Sequence, residues 1–122
     1  MEECILERLA SKEDFRRVYA GGNLKYGRYV VVTALPVDEE IVRVGFSVGR
    51  KVGNAVTRNR IKRRMREIVR GVSPELAPGY HIVIGAKRSS AAASFADLRA
   101  DLLKAMQGLR CLPRMMNGGE NA

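Results

Sequence analysis

The chain predicts an α+β fold, a small two-layer sandwich with three helices packed on a mixed sheet of about four strands. Three observations predict it. Three segments carry apolar residues at helical spacing, each preceded by a Ser, Thr or Asn able to cap a helix. Between them lie short runs rich in β-branched residues, as strands require. Finally, 122 residues with 46% hydrophobic content suffice for one core and not for two. The element order reads α-β-β(-β)-α-β-α, with a single domain over 1–113 and a fraying tail over 114–122.

The first helix starts at Ser11, whose hydroxyl can meet the backbone of Asp14, and runs to about Ala20 before Gly21 and Gly22. Phe15, Val18 and Tyr19 share one face of it. Residues 28–35 (RYVVVTAL) form a strand stopped by Pro36, and residues 41–48 (IVRVGFSV) form another. Val42, Val44, Phe46 and Val48 share a face there, and the short acidic gap predicts an antiparallel hairpin between the two strands. In the first of them, Val30, Val32 and Ala34 point to the core, and Tyr29, Val31 and Thr33 to the wetter side. The second helix begins at Asn54 or Thr57, both good caps, and reaches about Arg70. YHIVIGA, residues 80–86, is a buried strand containing the single histidine, His81, a satisfied strand residue. Ser94 and Asp97 open a last helix with Phe95, Leu98, Leu102, Met106 and Leu109 on its apolar side.

Charge is the most informative feature. The chain holds 22 Lys and Arg against 13 Asp and Glu. Nine of those bases and one acid, Glu67, fall within residues 50–70, which leaves the rest nearly neutral. The excess is one patch, and a patch implies a site. On a wheel of about 100° per residue, Ile61, Met65, Ile68, Val69 and Val72 form one stripe of the second helix. Lys62, Arg66, Arg70, Arg63, Arg60 and Arg64 cover most of the rest. A merely solvated face mixes signs to avoid self-repulsion. Arginine forks grip phosphate in bidentate fashion and stack on bases, so the patch reads as a polyanion site. No helix-turn-helix or zinc-finger pattern accompanies it, which favours single-stranded or irregular RNA over duplex DNA. Two separated cysteines, Cys4 and Cys111, imply reduced thiols, with neither a metal site nor a disulfide framework. An acidic start and the lack of a long apolar run predict a cytoplasmic protein without a membrane partner.

From Val44 the chain reads VGFSVGRKVGNAVTRNRIKRRMREIV. Its eleven-position run Gly-Asn-Ala-Val-x-Arg-Asn-Arg-Ile-Lys-Arg resembles the signature of the protein subunit of bacterial ribonuclease P. SKEDFRRVYAGG is similar to that family's first helix, and the resemblance covers roughly 9–109. It implies a left-handed β-α-β crossover, against the usual rule. It also implies a holoenzyme that removes the 5′ leader of precursor tRNA. There the RNA subunit is the catalyst and works with Mg²⁺ held mainly by the RNA, and no further protein partner is required. By the same resemblance, Arg50, Lys51, Asn54, Arg58, Asn59, Arg60, Lys62, Arg63 and Arg66 face RNA. Phe15 and Tyr19 then line a cleft for the single-stranded leader, with Tyr29, Val31 and Thr33 as its floor. No catalytic or metal-ligating residue is assigned to the protein. Lys87-Arg88-Ser89 stands where many relatives carry a proline-containing basic turn.

Two other readings compete. Small basic α+β domains also occur as structural RNA-binding proteins, which fold alone does not separate. A stand-alone nuclease needs clustered carboxylates for metals or a histidine acid–base pair, and the acids here are scattered.

Overall fold

The computed structural model describes residues 5–9 and 11–112, so the predicted tail and Cys4 lie outside the described residues. Its elements are β1 (Ile5–Arg8), α1 (Lys12–Gly21), β2 (Asn23–Tyr26), β3 (Val30–Pro36), β4 (Ile41–Ser47), α2 (Ala55–Gly71), β5 (Tyr80–Ala86) and α3 (Phe95–Gly108). Five strands form one mixed sheet in the order β1-β4-β5-β3-β2. The α+β sandwich stands, with one strand more than the expected four.

Local chemistry sets the helix starts. Ser11 Oγ accepts the Asp14 N–H, Asn54 Oδ1 accepts the Thr57 N–H, and Ser94 Oγ accepts the Asp97 N–H, all at 2.9–3.1 Å. Asn54, and not Thr57, is therefore the cap of α2, satisfying one of the orphan donors of its first turn.

The predicted hairpin is not formed. β5 lies between β3 and β4, antiparallel to the first and parallel to the second. Residues 81–84 of β5 are buried throughout, and a strand buried on both faces belongs at the centre of a sheet. It therefore takes the place a local hairpin would have filled, and β4-α2-β5 becomes a parallel crossover unit. β1 adds to the free side of β4 in parallel, and β2 to the free side of β3 in antiparallel.

The two faces of the sheet differ. On one, Val30, Val32, Val42, Val44, Ile82 and Ile84 pack beneath Ile61, Met65, Ile68 and Val69 of α2 and Leu98, Leu102 and Met106 of α3. The predicted stripe of α2 is thus the core stripe. Cys111 is fully buried beside it, and burial pushes its thiol up to about 12. On the other face, α1 alone covers a small cluster of Leu9, Val18 and Val83 with Phe15 and Leu35 at its margin. There His81 is buried, its Nε2 3.0 Å from Glu39 Oε1, and Arg43 bridges Glu39 and Glu7.

Candidate nucleic-acid interface

The register places three cross-strand rows on the α1 side of the sheet. Arg43, His81 and Leu35 form the lowest, and Gly45, Val83, Thr33 and Leu24 the middle one. Ser47, Gly85, Val31 and Tyr26 form the uppermost. α1 crosses the middle row: Phe15 lies against Gly45 of β4, and Gly22, just past the helix end, against Thr33 of β3. Gly45 makes this possible, since a Cβ there would sit 2.5 Å from Phe15 Cζ and 2.7 Å from the Leu9 carbonyl oxygen. Phe15 and Tyr19 meet edge to face, with centroids 6.4 Å apart.

This geometry corrects the expected cleft floor. Val31 stays half-buried on the uppermost row, but Thr33 is 2% exposed beneath α1. Tyr29 leaves the cleft altogether. It precedes β3 and packs against the main core, with Arg28 stacked 5.4 Å over its ring. The cause is Asp101 of α3, whose carboxylate accepts the N–H groups of Arg28, Tyr29 and Val30 at 2.7–3.2 Å. That clip holds the entry of β3 against α3. Lys87 and Ser89 fasten the same turn, donating to the Gly27 and Arg28 carbonyls.

The cations of α2 divide into two banks. Arg60 and Arg64, four residues apart, donate at 3.4 Å to the Ala91 and Ala93 carbonyls in the 3-10 turn after β5. Lys62, Arg66 and Arg70, also spaced by four, line a cavity of about 510 Å³. Phe15, Phe46 and Arg8 share its wall with one acid, Glu7, whose carboxylate is paired with Arg43, beside the edge of β4 beyond the end of β1. The Arg66 guanidinium lies 6.0 Å from the Phe46 ring centroid, a cation–π distance. Asn59 and Arg63 face solvent between the banks, and Arg58 is half-buried with its Nε unpaired. Arg50 and Lys51 are exposed on the turn before α2, while Asn54 spends its carbonyl on the cap. Among the described residues no cation of α2 forms an ion pair with a carboxylate. Such a bank keeps its charge for an external polyanion.

The structure therefore joins Phe15 to Lys62 and Arg66 in one cavity, a meeting of distant segments that the sequence reading did not foresee. It adds Arg8, Phe46 and Arg70, which that reading left unassigned. The i, i+4 spacing of 62, 66 and 70 was the available signal for the last. Among the described residues no group of three His, Cys, Asp or Glu could hold a metal, and no helix is long and apolar enough to cross a membrane.

The model of the Ribonuclease P family matches residues 6–110. The chain belongs to the ribonuclease P protein family. It is 44% identical over 79 residues to the ribonuclease P protein component of Natranaerobius thermophilus, covering 65% of this chain and 69% of that one. The RNase P protein of Thermotoga maritima superposes with a TM-score of 0.74 at 30% identity, over 80% of this chain and 93% of the other. That of Staphylococcus aureus gives 0.76 at 27% identity, over 89% and 93%. The expected family resemblance is thereby established, and the observed sheet of five strands and three helices is the family's fold.

Proposed function

We propose that the two sides of the binding region divide the labour between two RNAs. The cavity of Phe15, Phe46, Lys62, Arg66 and Arg70 takes the single-stranded 5′ leader of precursor tRNA. Arg50, Lys51, Arg58, Asn59, Arg60 and Arg63 dock on the catalytic RNA. The chain is the accessory, non-catalytic subunit of the ribonuclease P ribonucleoprotein, and its partners are the RNA subunit and precursor tRNA. In this reading Mg²⁺ is held by the RNA, and the chain works in the cytoplasm with its RNA partners.

One observation carries the assignment of the leader: a helix-α1 aromatic and three α2 cations converge beside an open strand edge. Rings stack on unpaired bases whatever their sequence, and cations track the backbone. Duplex RNA offers no splayed bases to such a cavity. The chain raises substrate affinity and places the leader, while the bond is cut by the RNA.

Reconstitution tests the reading. The purified chain, added to ribonuclease P RNA at low Mg²⁺, should accelerate 5′ processing of precursor tRNA. No acceleration would contradict it. Lys62→Gln with Arg66→Gln should keep the RNA–protein complex and lose most of the gain in precursor affinity.

A further inference from the structure

Five large apolar side chains stand exposed among the described residues: Tyr19, Leu24, Tyr26, Val56 and Phe95. Single exposed apolar residues need no explanation. Three of these, however, lie close together along the chain. Tyr19 lies near the end of α1, and Leu24 and Tyr26 follow at once on β2. Leu24 pairs with Thr33 and Tyr26 with Val31, so both point to the α1 side of the sheet. Lys25 points to the opposite side, its aliphatic stem near Gly108 of α3.

Tyr26 ends the uppermost row, Ser47–Gly85–Val31–Tyr26, which α1 leaves uncovered. Three strand spacings make this row about 14 Å long. Its floor is low. Gly85 has no side chain, and a Cβ placed there would meet nothing nearer than the Val31 carbonyl oxygen at 3.7 Å. At its β4 end the row adjoins Phe46 and the cationic cavity; at its β2 end stands a phenol ring 69% exposed. Phe15, which lines that cavity, meets the exposed Tyr19 edge to face.

We propose that Tyr26, at the β2 end of this row, is an outer stacking platform for the leader, a positioning residue for a nucleobase upstream of those held at Phe15. The proposal rests on the reading of the cavity as the leader's site. Continuity with that cavity selects the occupant: a strand whose phosphates are held at Lys62 and Arg66 has an open apolar floor ahead of it, ending in a ring. Exposed aromatics on the four-stranded sheets of other RNA-binding domains stack roughly two or three bases in this manner. Stacking is tolerant of sequence, so Tyr26 adds affinity for longer leaders without selecting a base. A second copy of the chain pairing on the β2 edge is the other possible occupant of this corner. Leader-length dependence separates the two, because edge pairing ignores the leader.

The test uses the holoenzyme reconstituted from the full chain and ribonuclease P RNA, with precursor tRNAs whose leaders are shortened stepwise. Tyr26→Ala should weaken binding of long-leader precursors on the order of fivefold or more, the lower end of a stacked base. It should not change binding of the shortest ones, and Tyr26→Phe should behave as wild type. Equal losses at every leader length, or no loss at any, overturn the proposal. Arg66→Gln, measured alongside, separates the two readings. If it weakens leader binding and Tyr26→Ala does not, only the outer platform fails. If neither responds to the leader, the cavity assignment fails with it.

Discussion

The two faces of the sheet carry different burdens. The face under α2 and α3 is closed, with Val30, Val32, Val42, Ile82 and Ile84 excluded from water by two helices. The face under α1 is half open: Val83 and Thr33 are covered, while the row through Gly85 and Val31 is not. One helix cannot cover five strands. What α1 leaves bare is bounded by aromatics and by the cations of α2, which reaches round the sheet from the closed side. In the proposed reading the leader is held on the open face and the stabilising core lies on the closed one, joined by a helix that serves both.

Substitutions should divide the same way. The largest effect on folding belongs to the closed face: Met65→Ala or Ile84→Ala should cost about 2–5 kcal/mol in denaturant unfolding. Val31→Ala on the open row should cost less than about 1 kcal/mol, since little packing is lost there. Equal costs would break the comparison. Next comes the clip between α3 and the turn before β3. Asp101→Ala strands three backbone donors and should lose about 2 kcal/mol, read as a lowered melting temperature. Lys62→Gln should hardly change stability yet flatten the log–log salt dependence of precursor binding by the holoenzyme by about 0.7–0.9, the release from one phosphate contact.

The smallest effect is electrostatic and lies at the lower margin of the α1 face. The hydrogen bond with His81 leads the causes that hold the Glu39 carboxyl below its ordinary value of 4.5, with Arg43 adding to it and desolvation opposing. A depressed carboxylate stabilises the fold above its ordinary value and loses that contribution as pH falls through the lower native one. The stability gap between the wild type and Glu39→Gln should therefore be full at neutral pH and close on acidification below 4.5. A gap that widens there would reverse the sign.

What was legible in the sequence was local. Each helix start is fixed by a side chain three residues from its partner, so Ser11 and Ser94 could be read directly, and Asn54 as one of two candidates. The stripe of Ile61, Met65, Ile68 and Val69 follows from the helical period alone. Pairing was not legible, because β5 enters between β3 and β4 from forty residues away, and adjacency in sequence argued for a hairpin. β1 and β2 are four residues each, too short to carry a readable period, and β2 is exposed along its whole length. Tyr29 was misplaced for a similar reason: Asp101, more than seventy residues on, overrides the strand alternation. The nine bases were visible as a patch. Their division was not, because it depends on what lies beside each side of α2, a carbonyl-bearing turn for Arg60 and Arg64 and an open cavity for Lys62, Arg66 and Arg70.

The division of labour is tested most directly by the affinity of the Arg66→Gln holoenzyme for precursor tRNA and for mature tRNA lacking the leader. The cavity assignment predicts weaker binding of the precursor and unchanged binding of the mature form. Equal weakening of both would contradict it, and would place Arg66 on the catalytic RNA or on the tRNA body.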